Sequence, residues 1–230
     1  MREIVVLTGA GISAESGLKT FRGAGGLWEG HEVTEVASPQ GFARNPELVL
    51  RFYNERRAQA REAQPNAGHH ALVELEKHFN VQIITQNVDN LHERAGSTRV
   101  LHLHGELNKV RSVTNENYVV ETEDDIQLGD LAPDGGQLRP HIVWFGESVP
   151  KIVEAAQLMA KADIVLIVGT SLVVYPANTL VEYAPFGIPI YVVDPHKPEL
   201  YGLDNVVFIE EPASIGVPLL VEQLASGGTA

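Results

Sequence analysis

The chain has 230 residues, and its 17 Lys and Arg against 30 Asp and Glu give a formal net charge of −13. That length suits one large α/β domain or a domain carrying a small insert, and the acidic balance argues against direct nucleic-acid binding, which needs clustered cations to neutralise phosphates. The count of 0 cysteines excludes disulfides, thiol nucleophiles and thiolate zinc sites.

An acidic surface also suits lysine-rich polypeptide partners, or serves solubility alone. At the amino end Glu3 stands where a signal peptide would be basic, so a cytoplasmic protein is expected. The longest apolar stretch, residues 164–177, is broken by Gly169, Thr170 and Ser171 and is too short to span a bilayer, so no membrane segment is expected.

Residues 4–8 are rich in β-branched side chains and read as a parallel strand buried on both faces. Directly after them, Gly9-Ala10-Gly11-Ile12-Ser13-Ala14 has the form G-x-G-x-x-A between a strand and a helix start. In a dinucleotide site the first glycine permits the turn, the second lets backbone approach a pyrophosphate, and the small third residue allows close packing. An ordinary strand-to-helix turn is the bland alternative. The acid that a dehydrogenase places about twenty residues later is missing, and Phe21, Arg22 and a glycine run stand there instead.

Residues 22–40 lack periodicity. Residues 46–63 read as a helix, with Asn45 as its cap and proline at its first position, and residues 67–78 as a second with one apolar face. Tyr53 and Arg56 lie three apart on the first helix and share a face, where a phenol and a planar guanidinium can grip a carboxylate. Arg51, Arg57 and Arg61 nearby leave an ordinary basic helix as the alternative.

A second strand, residues 81–85, leads into Gln86, Asn87 and Asp89. Side chains of this kind just past a buried strand are costly unless they bind one another or a ligand, and amides suit a nicotinamide carboxamide. Capping of the next helix by Asp89 or Asn90 is the alternative. His102 and His104 alternate with Leu101 and Leu103, so both imidazoles project to one face and one is a candidate general base. A structural role is the commoner fate of a histidine, and no third metal ligand has the right spacing.

Residues 106–139 are polar and acidic, and with residues 22–40 they are expected to form a lid or small domain. A helix over 152–161 and strands over 164–168 and 188–193 complete the pattern, the strands ending in Gly169-Thr170-Ser171 and Asp194. Open α/β sheets bind ligands at this carboxyl edge. The expected fold is a Rossmann-like doubly wound parallel sheet built from residues 1–20, 65–105 and 140–225, with right-handed crossovers. Residues 21–64 form a cofactor loop and helical insert, residues 106–139 a small insert, and residues 226–230 a frayed tail.

Together, Gly9 through Gly17 with Phe21-Arg22, then Gln86-Asn87-Val88-Asp89, Leu103-His104-Gly105, Phe145-Gly146-Glu147 and Gly169-Thr170-Ser171 follow the order and spacing of one family. Over residues 5–194 the chain resembles the sirtuins. The resemblance implies an NAD-consuming protein lysine deacylase that yields nicotinamide and O-acyl-ADP-ribose. Gly9, Ala10, Gly11 and Ala14 would lie near the phosphates, Phe21 and Arg22 in the cofactor loop, and Gly169, Thr170, Ser171 and Asp194 toward the adenosine. Gln86, Asn87 and Asp89 would form the nicotinamide pocket. His104 corresponds to the general base, with Asn87 beside it in the catalytic centre, and His102 does not. An acylated peptide would add as a strand between the segment of Val143, Phe145, Gly146 and Glu147 and the loop holding Val173.

The run Tyr53 to Arg56 resembles the Y-x-x-R signature of members that remove acidic acyl groups, which favours succinyl and malonyl lysine over acetyl. Plain deacetylation and NAD-dependent protein ADP-ribosyl transfer are the alternatives. The chain departs from most of the family in lacking its zinc cysteines, with Ser112 where the first would stand. A zinc-free enzyme is expected, monomeric, its residues 112–137 held by packing of Val113, Tyr118, Val119, Val120, Ile126 and Leu128. Glu121, Glu123, Asp124 and Asp125 would hold at most a hard cation weakly.

Overall fold

The computed structural model describes residues 1–19, 27–198 and 205–227. In chain order these form β1 (Glu3–Thr8), α1 (Ala10–Ala14), β2 (Leu27–Trp28), β3 (His31–Glu32), α2 (Val33–Val36), α3 (Pro39–Arg44), α4 (Pro46–Glu62), α5 (Ala67–Leu75), β4 (Asn80–Thr85) and α6 (Leu91–Ala95). There follow β5 (Val100–His102), β6 (Gly105–Ser112), β7 (Val119–Glu121), β8 (Leu138–Ile142), α7 (Ile152–Met159), β9 (Ile164–Val168), a 3-10 helix (Ala177–Tyr183), β10 (Ile190–Val193), β11 (Val206–Ile209) and α8 (Ala213–Ala225).

The main sheet runs β11-β10-β9-β1-β4-β5, with every pairing parallel. From β1 the chain works outward to β5, then returns to lay β9 on the other side of β1. The strand order therefore reverses between β1 and β9, which opens a crevice at their carboxyl ends. All five residues of β9 are buried, because helices cover both faces. Ile4, Val6, Ile83 and Leu166 face Leu72 and Leu75 of α5 and Val217 and Leu220 of α8. Val5, Leu7, Ile84 and Ile167 face Met159 of α7 and Leu180 of the 3-10 helix.

Local signals set the ends of α4 and α5. Asn45 Oδ1 accepts from the Leu48 amide at 3.1 Å with Pro46 at the first helical position, and Asn66 Oδ1 accepts from the Gly68 amide at 2.9 Å. The helix expected over residues 152–161 stops at Met159, and the strand expected over residues 188–193 begins at Ile190.

Residues 27–62 and 105–142 meet in a second layer. Its β7-β6-β8 sheet is antiparallel and packs on α2 to α4 through Val36, Val49, Phe52, Tyr53, Leu107, Ile142 and Trp144. The expected packing of residues 112–137 needs correction. Ile126 is buried against Leu50 and Val110, with Val120 partly buried beside them, but Val113, Val119 and Leu128 are 43%, 36% and 54% exposed. The short β7 presents too little surface to cover both of its faces.

Polar anchors replace that packing. Arg57 donates from Nε to the Leu107 carbonyl at 2.8 Å and from Nη1 to Asn54 Oδ1 at 2.9 Å and the Asp124 carbonyl at 3.1 Å. Asn54 closes the loop onto both the amide and the carbonyl of Ile126. Ser112 and Thr114 share the Asp134 carboxylate at 2.9 Å. Among the described residues no group of three or more His, Asp or Glu is placed to hold a metal, the acids at 121–125 included, and no helix is long and apolar enough to cross a membrane.

Replacing Arg57 with Met should strand the carbonyls of Leu107 and Asp124 and cost about 2–3 kcal/mol. Urea denaturation of the two proteins measures it, and an unchanged midpoint contradicts the anchor.

Candidate active site

A cleft of about 1240 Å³ runs between the carboxyl edge of the main sheet and the second layer, roomier than the roughly 300–1,000 Å³ of ordinary small-molecule pockets. Of the described residues singled out from the sequence for the site, Gly9, Ala10, Gly11, Ala14, Tyr53, Arg56, Gln86, Asn87, Asp89, His104, Val143, Phe145, Gly146, Glu147, Gly169, Thr170, Ser171, Val173 and Asp194 line it, and His102 does not. Phe21 and Arg22 lie outside the described residues.

Its floor is the contact between the turns after β1 and β9. Gly9 N donates to the Val168 carbonyl at 3.0 Å and Gly11 N to the Gly169 carbonyl at 2.8 Å. A Cβ on Gly11 would stand 2.6 Å from Gly169 Cα, and Gly169 has φ +62, so neither position admits a side chain. The Gly11 N–H is thereby taken by a protein carbonyl. At the far end Asp194 Oδ1 accepts from the His196 amide at 2.8 Å.

Asn87 Nδ2 donates to the Gly9 carbonyl at 3.0 Å and to Ser13 Oγ at 3.1 Å, and Gln86 Nε2 donates to Thr170 Oγ1 at 2.9 Å. Ser13 in turn donates to Asp89 Oδ2 at 3.0 Å, while Asp89 Oδ1 accepts from the Leu91 amide at 3.1 Å. Asp89 thus both caps the following turn and joins the polar cluster. Burial raises its pKa against the opposing pull of the Leu91 amide and the Ser13 hydroxyl. Ser13 was not singled out from the sequence, although a hydroxyl inside an otherwise small and apolar turn was a signal.

Partners separate the two histidines. His102 has Nδ1 on the Asn87 carbonyl at 3.0 Å and Nε2 on Glu93 Oε1 at 2.8 Å. Burial lowers its pKa, but the Glu93 carboxylate outweighs burial and the net shift is upward. His104 has Nδ1 on the Gln86 carbonyl at 3.0 Å. A carbonyl only accepts, so the proton sits on Nδ1 and Nε2 carries the lone pair. Burial lowers the pKa of His104, against the Gln86 bond, which keeps it neutral near pH 7.

On the opposite wall, Trp144 Nε1 donates to the Tyr53 hydroxyl oxygen at 3.1 Å, leaving the phenolic hydrogen to be donated elsewhere. Burial pushes the Tyr53 phenol well above its usual pKa. Arg56 is 8% exposed, lies 4.7 Å over the Phe52 ring, and has no hydrogen-bond partner at Nε or Nη1. Trp144, absent from the sequence reading, is itself fixed by Arg139 stacked 3.3 Å over its ring. Glu147 lines the cleft, but its carboxylate holds Arg139 at 2.7 Å, Arg111 at 3.2 Å and the Trp144 amide at 2.8 Å. The Val143 and Phe145 amides bond to the His104 and Ala37 carbonyls, so this wall has few amide donors left. Phe145 and Val173 both line the cleft and are exposed.

Residues 9–176 match the Sir2 family. A Helicobacter pylori protein named NAD-dependent protein deacylase is 57% identical over 213 residues, 93% of each chain. One of the same name from Bacteroides thetaiotaomicron is 53% identical over 230 residues, covering 97% of this chain and 98% of its own. Among solved structures, a complex of a Sir2 homologue with NAD aligns with a TM-score of 0.88 at 39% identity, over 98% of this chain and 90% of that one. A Sir2 protein bound to a propionylated peptide aligns at 0.79 with 30% identity, over 100% and 94%.

Beneath the floor, Thr8 Oγ1 donates to Thr85 Oγ1 at 2.8 Å and meets His92 Nε2 at 3.0 Å, and the His92 ring stands 5.0 Å from that of His69. Burial lowers the pKa of both imidazoles, that of His69 to about 4. A depressed histidine stabilises the fold above its unfolded pKa of 6.5, and that contribution is lost as the pH falls through about 4. Urea unfolding between pH 7 and 4 should therefore show stability falling on acidification, with a shallower slope for His69→Gln, by on the order of 3 kcal/mol over the window. Equal slopes contradict the assignment.

Proposed function

Because the chain belongs to the Sir2 family, we propose that it is an NAD-dependent protein deacylase that favours lysine bearing a short acidic acyl group, succinyl or malonyl. The observation that carries the acyl preference is a buried Arg56 guanidinium with open donors, beside a Tyr53 hydroxyl whose oxygen is already held by Trp144 and whose hydrogen is free to donate.

The fit to NAD rests on the cleft itself: a turn-to-turn contact too tight for side chains, ringed by amide and hydroxyl groups at the sheet's carboxyl edge. When bound, NAD supplies a ribose carbon from which nicotinamide departs. Asn87 is tied by its Nδ2 to Gly9 and Ser13 and turns its remaining oxygen to accept from the carboxamide, with Gln86 and Asp89 holding the pocket's shape. Gly9, Ala10, Gly11 and Ala14 border the phosphates, and Gly169, Thr170, Ser171 and Asp194 the adenosine end. Family resemblance assigns Phe21 and Arg22 to the covering loop.

His104 takes a proton from a ribose hydroxyl at Nε2, since the Gln86 carbonyl fixes its other nitrogen as the donor. The peptide lies extended between residues 143–147 and Val173, and with the Val143 and Phe145 amides already bonded it donates its own amides to wall carbonyls. At the acyl end a carboxylate gains two charge-assisted bonds from Arg56 and one from Tyr53, whereas an acetyl group leaves those donors unmet. The small domain is held by Arg57 and by the Ser112, Thr114 and Asp134 cluster and needs no thiolate site.

Two substitutions test this reading. His104→Ala should lower kcat by about 100-fold or more while circular dichroism and melting stay near wild type, and unchanged turnover refutes the base. Arg56→Met should cut kcat/KM on a succinyl-lysine peptide by about 100-fold and on the acetyl peptide far less; equal losses refute the carboxylate grip.

A further inference from the structure

Glu29 occupies the two-residue turn between β2 and β3 with φ +53, followed by Gly30 at φ +87. Consecutive positive φ values at these positions make a hairpin turn that Asn, Asp or Gly normally opens, and a longer side chain is disfavoured there. A non-glycine residue held in such a conformation warrants a reason in its side chain.

That side chain points into the cleft and is 10% exposed. Its Oε2 meets Lys19 Nζ at 2.9 Å, and its Oε1 stands 3.7 Å from Arg56 Nη1. The latter is a contact of charges without a hydrogen bond: Glu29 Oε1 and Arg56 Nη1 are both buried and both lack a hydrogen-bond partner. Glu55 also approaches Arg56, at 3.8 Å from Nη2, but it is 58% exposed and water screens it. The buried charge facing Arg56 is thus a carboxylate of the protein itself.

We propose that Glu29 is a specificity-determining residue, a standing counter-ion that an acidic acyl group must displace from Arg56. This rests on the acyl preference given above. A neutral acetyl group leaves the Glu29–Arg56 contact intact, so the buried guanidinium charge still faces a carboxylate, although its donors stay unmet, and acetyl lysine is tolerated. A succinyl or malonyl carboxylate enters by taking the guanidinium's open donors, while Glu29 moves aside and keeps its hydrogen bond to Lys19. Glu29 therefore sets how strongly the site separates acidic from neutral acyl chains.

The test is Glu29→Gln, which keeps the side chain's size and the turn, assayed with NAD on succinyl-lysine and acetyl-lysine peptides in the wild-type and Arg56→Met backgrounds. The expected result is a fall of about five-fold in KM for the succinyl peptide, the scale of one partly screened ion pair, with a rise in the succinyl-to-acetyl ratio of kcat/KM that vanishes when Arg56 is Met. A rise in the succinyl KM, a shift common to both peptides and to NAD, or an effect that persists without Arg56 overturns it. Failure of the acyl preference has a different signature: the wild type then shows no succinyl preference and Arg56→Met affects both peptides alike. A wild type that prefers succinyl with a ratio Glu29→Gln leaves unaltered rejects the role of Glu29 alone.

Discussion

The turns that follow β1 and β9 touch backbone to backbone, and no atom beyond Cα fits between them. Gly9 and Gly11 bond to the carbonyls of Val168 and Gly169, and a methyl at Gly11 would collide with Gly169. This contact brings the ends of β1, β4 and β9 to one place: Thr170 reaches Gln86, and Asn87 reaches Gly9 and Ser13. A cleft at a topological switch point is a general consequence of the fold, but its polar ring depends on how closely these two turns approach.

The opposite wall comes from one face of α4. Tyr53, Arg56, Arg57 and Ala60 are all buried there, at the spacing of a helical stripe. Arg56 and Arg57 are neighbours in sequence with opposite fates. Arg57 finds backbone carbonyls through Nε and Nη1, leaving only Nη2 unpartnered, and ties the helix to the second layer; Arg56 finds an aromatic ring and a distant carboxylate, with both Nε and Nη1 left over. A buried guanidinium with unmet donors is costly for folding alone, which is why it supports a ligand-binding role. Trp144 extends the same logic, since its N–H determines which way the Tyr53 hydroxyl donates.

The doubly wound sheet was legible because parallel strands covered on both faces leave continuous β-branched runs, as in residues 164–168. Strand β11 and helix α8 escaped notice: β11 has four partly buried residues, and α8 carries Gly216 and Pro218, which blur its periodicity. Gly216 has a packing reason, because a Cβ there would stand 2.5 Å from Val193. In the site, residue types and spacing pointed to the glycine turns, the amides and Tyr53 with Arg56. Alternation alone put His102 and His104 on equal terms; the family motif pointed to His104, and the structure gives the two different partners, Glu93 for His102 and the Gln86 carbonyl for His104. Glu147 read as substrate-facing, yet two arginines distant in sequence hold its carboxylate. Such long-range pairing leaves no local trace.

The central claim is that this cleft couples departure of nicotinamide from NAD to removal of an acyl group from lysine. Incubating the purified protein with NAD and a succinyl-lysine peptide, then weighing the peptide and quantifying nicotinamide, tests it most directly. The account predicts a peptide lighter by one succinyl group, with nicotinamide released in equal amount and only when the acylated peptide is present. A peptide that gains ADP-ribose, or one that keeps its acyl group with no nicotinamide formed, would contradict it.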